Sequence, residues 1–368
     1  MYLKNLSLIN FKNYLLAEID FSPSINCFTG NNGVGKTNLL DAVYYLALCK
    51  SYFNPIDYQN INFTNDFFVI EGKFDINKKD NNIYCGLKRN QKKKVSRNKK
   101  EYKRLSEHVG LIPIVMVSPA DIKLIVEGSE ERRKFIDAVI SQYDKSYLES
   151  VISYNKALLQ RNKLLKQFSE NNYFDNDELE IWNYPLIQHG IIIYKKRKEF
   201  IDQITGVFQK HHEYISNGKE KVTLNYKSDL DEGDFKKILH SNLNKDRILQ
   251  YTTKGVHKDD LLMKMEGYAI KKSGSQGQQK TYLVALKLAK YDFIYGKKGI
   301  KPILLLDDIF DKFDHDRVEK MISLISNDNF GQIFITDTDF NRLNSILAKI
   351  ENESKIFNIT ENQEITFK

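Results

Sequence analysis

Long apolar runs are missing from these 368 residues. The stretches that exist, such as residues 303–306, fall far short of the roughly 18 residues a membrane-spanning helix needs, so no membrane span is expected. Cysteine is scarce as well. Cys27, Cys49 and Cys85 are odd in number and too far apart for a CxxC-type metal site, which predicts three thiols in a reducing compartment and no disulfide framework. The opening stretch MYLKNLSLINFKNY has Lys4 and Lys12 interrupting its apolar residues and no small-residue cleavage site, so no secretory signal is read and the cytoplasm is the expected location. Acidic groups are outnumbered: 56 Lys and Arg against 48 Asp and Glu leave a formal net charge of +8, a balance that attracts nucleic acid or anionic surfaces. A hydrophobic share of 41% fills a core and a charged share of 28% covers it. The length implies one large domain with an insertion, or two lobes.

The chain opens on strand patterns: Leu3, Leu6, Leu8 and Ile9, then Leu15, Ile19 and Phe21, then Ile25, Cys27 and Phe28, separated by polar turns. A glycine loop follows the third strand. A helix is then expected over residues 37–49, and further strands over 67–76, 83–87 and 112–117. From Ser129 to residue 216 the spacing becomes helical, with a first helix of about 40 residues, roughly 60 Å long, and a second that Pro185 starts or kinks. From Val256 β/α signals return, with strands at 303–306 and 332–336 around a helix at 317–326. The predicted class is α/β, with residues 1–118 and 250–368 forming one lobe that opens on an N-terminal β sheet, and 119–249 an inserted helical lobe.

GxxxxGK[ST] is met in full by Gly30, Asn31, Asn32, Gly33, Val34, Gly35, Lys36 and Thr37. Glycines let backbone N–H groups turn toward phosphates, Lys36 neutralises the β and γ phosphates, and Thr37 offers its hydroxyl to Mg²⁺. The helix that follows adds the positive end of its dipole. A second strand must supply a carboxylate, and KPILLLDDIFDKFD runs into Asp307, the expected Mg²⁺ partner, and Asp308, placed to orient an attacking water. The segment GSQGQQKT precedes an apolar-periodic helix, where Ser275 and Gly277 could present a hydroxyl and backbone donors to a γ-phosphate.

Taken together these motifs resemble the RecF family of DNA-repair ATPases, of the ABC/SMC-like group. The resemblance spans nearly the whole length. It rests on LxNFxNY at residues 8–14, GNNGVGKTNLLDA at 30–42, VSPADIKLIVEGSEERRKFID at 117–137, GVHKDDL at 255–261, SQGQQK at 275–280, LLLDDIFDKFD at 304–314 and ITDTD at 335–339. It implies an ABC-type P-loop ATPase head whose Walker A residues are 30–37 and whose Walker B pair is Asp307 and Asp308. Ser275, Gln276, Gly277, Gln278 and Gln279 become the signature that reads ATP on a partner subunit, so ATP and Mg²⁺ are sandwiched in a two-fold dimer. Asp311 to Asp314 match the loop that meets the opposite subunit, and Lys12 and Asn13 match positions near the nucleotide. Three positions depart from commoner forms. Lys280 stands where the family usually has Arg, Asp337 stands at the switch position where transporters have His, and Asp308 replaces the Glu of most ABC proteins, as in the family, which implies slow turnover.

Residues 88–104 hold ten Lys or Arg and one acidic residue on an expected hairpin. Lys92, Lys93, Lys94, Arg97, Lys99 and Lys100 are the candidates for tracking DNA phosphates, with Lys195, Lys196, Arg197 and Lys198 a second patch. With no zinc finger or helix-turn-helix apparent, recognition of shape at duplexes or junctions is expected. The resemblance implies binding at double- and single-stranded DNA gaps and junctions, a slow DNA-stimulated ATPase, RecR and RecO as partners, and help in loading RecA during repair and the response to DNA damage. Two alternatives share the nucleotide motifs. An ABC transporter subunit lacks the helical insertion and basic hairpin, and an SMC-like chromosome ATPase needs a long heptad array that is absent here. A linked nuclease is not expected, because few residues follow the last strand.

Overall fold

The computed structural model describes residues 1–310, 313, 315–326, 329–348 and 353–367. Asp311, Lys312 and Asp314, and with them most of the loop expected to meet an opposite subunit, lie outside the described residues. In chain order the elements begin with β1 (Tyr2–Phe11), β2 (Tyr14–Asp20), β3 (Ile25–Thr29), α1 (Lys36–Leu48), β4 (Phe67–Ile76), β5 (Lys79–Lys88), β6 (Lys94–Arg97), β7 (Lys100–Glu101) and β8 (Ile114–Val117). There follow α2 (Lys123–Val126), α3 (Ser129–Ile140), α4 (Lys145–Glu170), α5 (Asn176–Ser216), β9 (Val222–Lys227), α6 (Phe235–Ser241), α7 (Leu243–Leu249), β10 (Asp260–Met265), β11 (Tyr268–Ala269) and α8 (Ile270–Ser273). The chain closes with α9 (Gln276–Lys298), β12 (Ile303–Asp307), α10 (His315–Ser326), β13 (Ile333–Thr336), α11 (Phe340–Leu347), β14 (Ser354–Ile359) and β15 (Ile365–Phe367).

Two compact units result, one of residues 1–121, 214–218 and 276–368 and one of 122–213 and 219–275. In the first unit, alternation along β1 buries Leu6 and Leu8 on one face, and Phe11 at the end of the strand joins the same core. The three-residue step from Leu3 to Leu6 is absorbed by a register shift between Leu3 and Asn5 against β4. This antiparallel sheet has the order β2-β1-β4-β5-β6-β7. A second sheet has the order β15-β14-β3-β13-β12-β8, parallel throughout except for β15. Its central strands, INCFT, ILLLD and IFIT, are buried on both faces and read as continuous apolar runs for that reason. Every residue of α1 from Leu39 to Leu48 is buried, because the helix contacts β1, β4 and β5 of one sheet and β8, β12 and β13 of the other.

The second unit corrects two expectations. The single helix of about 40 residues is two, α3 and α4, because Asp144 caps α4 by accepting from the Tyr147 N–H at 2.9 Å and breaks the run that Tyr143 and Tyr147 continue in spacing. Pro185 lies inside α5, so of the two placements expected for it the interior one holds. Residues 250–275, expected in the first lobe, fall in the second unit, where β10 pairs antiparallel with β9 from Asp260↔Lys227 to Met265↔Val222. Among the described residues no helix is long and apolar enough to cross a membrane.

Candidate nucleotide-binding site

The carboxyl ends of parallel strands converge on the loop after β3, the position where open α/β sheets take ligands. Two glycines in that loop are irreplaceable for local reasons. At Gly30, φ is +142° and a Cβ would lie 2.4 Å from the Ile359 carbonyl oxygen; at Gly35, φ is +116° and a Cβ would lie 2.5 Å from Asn13 Nδ2 and 2.8 Å from Tyr14 Oη. Asn13 braces the loop from outside: its Nδ2 donates to the Val34 carbonyl at 3.0 Å and its Oδ1 accepts from Asn38 Nδ2 at 2.7 Å. Lys36 Nζ donates to the carbonyls of Gly30 at 2.7 Å and Asn31 at 2.8 Å, curling back over the loop. Burial lowers its pKa, while Asp308, Asp307 and Asp337 act in the opposite direction.

The carboxylate side of the site is equally formed. Asp307, at the end of β12, accepts at Oδ1 from the hydroxyls of Thr37 at 2.8 Å and Thr336 at 2.9 Å, and at Oδ2 from Ser118 at 3.3 Å. Burial raises its pKa, the three hydroxyls offset part of that rise, and the neighbouring Asp308 adds to it. Asp308 turns out of the strand with φ +50°, its N–H donating to Thr336 Oγ1 at 3.0 Å. Asp337 is buried after β13, which raises its pKa, and its carboxylate meets Arg342 Nε at 3.2 Å. One carboxylate and hydroxyl oxygens form a hard donor set that suits Mg²⁺, an ion held by one or two carboxylates together with substrate phosphates. Among the described residues no cluster of three or more His, Cys, Asp or Glu offers a closed metal cage. Sequence reasoning missed Ser118 and Thr336. Both lie inside motifs quoted for the family, and their shared signal is a hydroxyl at the end of a strand flanking β12.

Other expected residues make contacts of their own. Lys12 is paired with buried Asp41 of α1 at 2.5 Å, and Asp41 also accepts from Ser51 and from the Tyr52 N–H. Ser275 and Gln276 are exposed where α9 begins, with Gly277, Gln278 and Gln279 half-buried behind them. The Gly277 carbonyl accepts from Thr281 at 2.9 Å and from Arg317 at 3.0 Å, and Lys280 Nζ stands 4.8 Å from the Phe313 ring centroid. The basic segment is a hairpin of β5, β6 and β7, on which Lys92, Lys94, Lys99 and Lys100 are exposed. Lys93 corrects the expectation of a free phosphate contact: it folds inward to Asp57 at 2.7 Å, the Cys49 carbonyl at 2.5 Å and Tyr45 Oη at 3.1 Å. Arg97 is half-buried and donates to Asn81 Oδ1 at 2.8 Å. The second patch is corrected more fully, since Arg197 is buried between Asp137 and Asp259, while Lys196 pairs with Asp144 and Lys198 with Asp231.

A glycine loop between a strand and a helix on a mostly parallel sheet, with an antiparallel sheet in the same unit, defines a P-loop ATPase head of the ABC/SMC class. Residues 2–363 match the RecF/RecN/SMC N terminal domain family. The DNA replication and repair protein RecF of Phocaeicola vulgatus is 53% identical over 368 residues, covering 100% of this chain and 98% of its own. A solved structure of the recombination mediator protein RecF with ATP, in the RecFOR pathway, superposes with a TM-score of 0.89 at 30% identity, covering 100% of this chain and 97% of that one. The Smc head domain of Pyrococcus furiosus, at TM-score 0.58 and 17% identity over 100% of this chain and 96% of that one, shares the fold. The chain belongs to the RecF family of DNA replication and repair proteins.

Proposed function

We propose that the chain binds ATP and Mg²⁺ at the site of Lys36, Thr37 and Asp307, sandwiches the nucleotide between two copies of itself, and hydrolyses it slowly with stimulation by DNA. In that state it holds single-strand gaps and junctions of duplex with single strand, and with RecO and RecR it helps to load RecA. Lys36 leaves the carbonyls of Gly30 and Asn31 for the β and γ phosphates, and the loop amides take the remaining oxygens. Mg²⁺ held by Thr37 and Asp307 would neutralise charge on the β and γ phosphates. Asp308 orients the attacking water. The unit of residues 1–121, 214–218 and 276–368 serves as the nucleotide head, and Ser275 is the residue offered to the second copy.

The observation that carries this reading is the exposure of Ser275 and Gln276 at the start of α9, which leaves them accessible to a nucleotide held by another molecule. The test is fluorescence anisotropy with a gapped duplex in ATP, ADP and no nucleotide, on the intact chain and on Ser275→Arg. ATP should tighten binding by the intact chain and not by the variant. Binding indifferent to both nucleotide and Ser275 defeats the proposal of an ATP-gated clamp.

A further inference from the structure

The polar side chains of the motif VSPAD, Ser118 and Asp121, are buried and bonded. Ser118, just past β8, donates to Asp307 Oδ2 at 3.3 Å. Its own N–H donates to Asp121 Oδ2 at 2.9 Å. Asp121 Oδ1 in turn accepts from Lys287 Nζ at 2.6 Å and from the Tyr52 hydroxyl. Lys287 belongs to α9, the helix that begins at Gln276, and it also donates to Tyr52 Oη at 2.8 Å and the Met116 carbonyl at 3.1 Å. The Lys287 and Asp121 side chains are 3% and 4% exposed, so water does not compete for the pair. Tyr52 closes the circuit toward the phosphate loop, its N–H donating to Asp41 of α1 at 2.7 Å.

We propose that Ser118, Asp121 and Lys287 are positioning residues that couple the metal side of the nucleotide site to the signature helix α9. A full charge buried in a helix interior could have been an apolar residue at lower desolvation cost, so its retention calls for a role beyond packing. The circuit has one acceptor, Asp307, whose surroundings change when nucleotide and metal arrive. Any shift of Asp307 moves Ser118, and through Asp121 it reaches the one charged anchor that fixes the rotation of α9 in this circuit. The inference rests on the proposed reading of residues 275–279 as a signature presented to a second copy.

Hydrogen–deuterium exchange of the full chain carrying Ser275→Arg reports on α9 within a single molecule. The probe is Mg²⁺ with adenosine β,γ-imidotriphosphate, and the readout is exchange at the backbone amides of residues 276–281. The probe should slow exchange there, and Asp121→Asn with Lys287→Met should remove about two- to thirtyfold of that protection. Removing both charges together avoids leaving one buried and unpaired, so the doubly substituted chain should fold. Affinity for fluorescent ADP should stay within about threefold, and Lys287→Arg should keep the protection. Protection that survives the double substitution, a fall in nucleotide affinity parallel to it, or no protection in the Ser275→Arg chain each overturns the coupling. Light scattering of the chain without Ser275→Arg, with and without ATP, judges the dimer separately, so failure of the signature reading is told apart from failure of the coupling.

Discussion

Thr37 and Asp307, 270 residues apart in sequence, are joined by a hydrogen bond of 2.8 Å. The second residue of α1 is thereby tied to the last residue of β12, so the place of Asp307 in the site is set by the packing of α1 on the sheet. Replacing Thr37 by Val keeps the shape and removes the hydroxyl. Asp307 retains Thr336 and Ser118, so folding should cost only about 1 kcal/mol. The loss should fall on metal-dependent affinity, by about 1.5–3 kcal/mol or roughly ten- to hundredfold. Titration of a fluorescent ATP analogue with Mg²⁺ and with EDTA separates the two. Equal weakening in both conditions would show that the hydroxyl serves the loop rather than the metal.

How much of this was legible in the sequence divides by range. The phosphate loop, the strand at residues 67–76 and the strand leading to Asp307 are local patterns, and the fold holds them where those patterns put them. Asp144 was unreadable as a helix break because Tyr143 and Tyr147 keep helical spacing across it, and only its side-chain bond to the Tyr147 N–H reveals the cap. The boundary at residue 276 follows from the pairing of β9 with β10, which no local pattern encodes. Ser118 and Thr336 reach Asp307 only because β8 and β13 flank β12. In each miss the deciding interaction is distant in sequence or lies in the detailed geometry of a cap.

Arg161 and Asp246 form an ion pair of 2.7 Å with neither side chain exposed. Arg161 also donates to Asn183 and Thr252, and Asp246 accepts from the N–H and hydroxyl of Thr253. The pair ties α4 to α7 inside the helical unit. Arg161→Met should destabilise that unit by about 3–5 kcal/mol, because it strands a buried carboxylate. Adding Asp246→Asn should recover part of the loss. Urea unfolding followed by circular dichroism measures both, and a double variant no better than the single one would contradict the argument.

His257 contributes a pH dependence of definite sign. Its Nε2 donates to the Thr252 carbonyl at 3.0 Å, which leaves Nδ1 to accept from the Tyr154 hydroxyl at 2.7 Å, so the neutral ring is fully bonded. Burial, with Lys258 and Arg133 nearby, pushes its pKa down from 6.5 to about 4. Between those values the unfolded chain binds a proton that the native state refuses. The contribution to stability is therefore complete above pH 6.5 and is lost as pH falls through about 4. Its size is at most about 3 kcal/mol. His257→Gln should flatten the decline in unfolding free energy between pH 6.5 and 4, and an unchanged slope would assign that decline to other groups.

Lys93 and its neighbours on the basic hairpin should separate by experiment into two kinds of lysine. The Lys93 ammonium is bonded to Asp57, the Cys49 carbonyl and Tyr45 Oη, and lies 5.0 Å from the Tyr45 ring centroid. Lys93→Ala should therefore lower stability by about 1–3 kcal/mol while leaving DNA affinity unchanged once the fold is intact. Lys92, Lys94, Lys99 and Lys100 are exposed, so Glu at those positions should leave the melting temperature alone. If they track DNA phosphates, removing each lysine–phosphate pairing should reduce the slope of log affinity against log salt by roughly 0.9. Affinity measured on a gapped duplex across a salt series decides the matter: a slope unchanged by all four substitutions would move the DNA surface elsewhere, and a slope changed by Lys93→Ala alone would overturn its assignment as a folding residue.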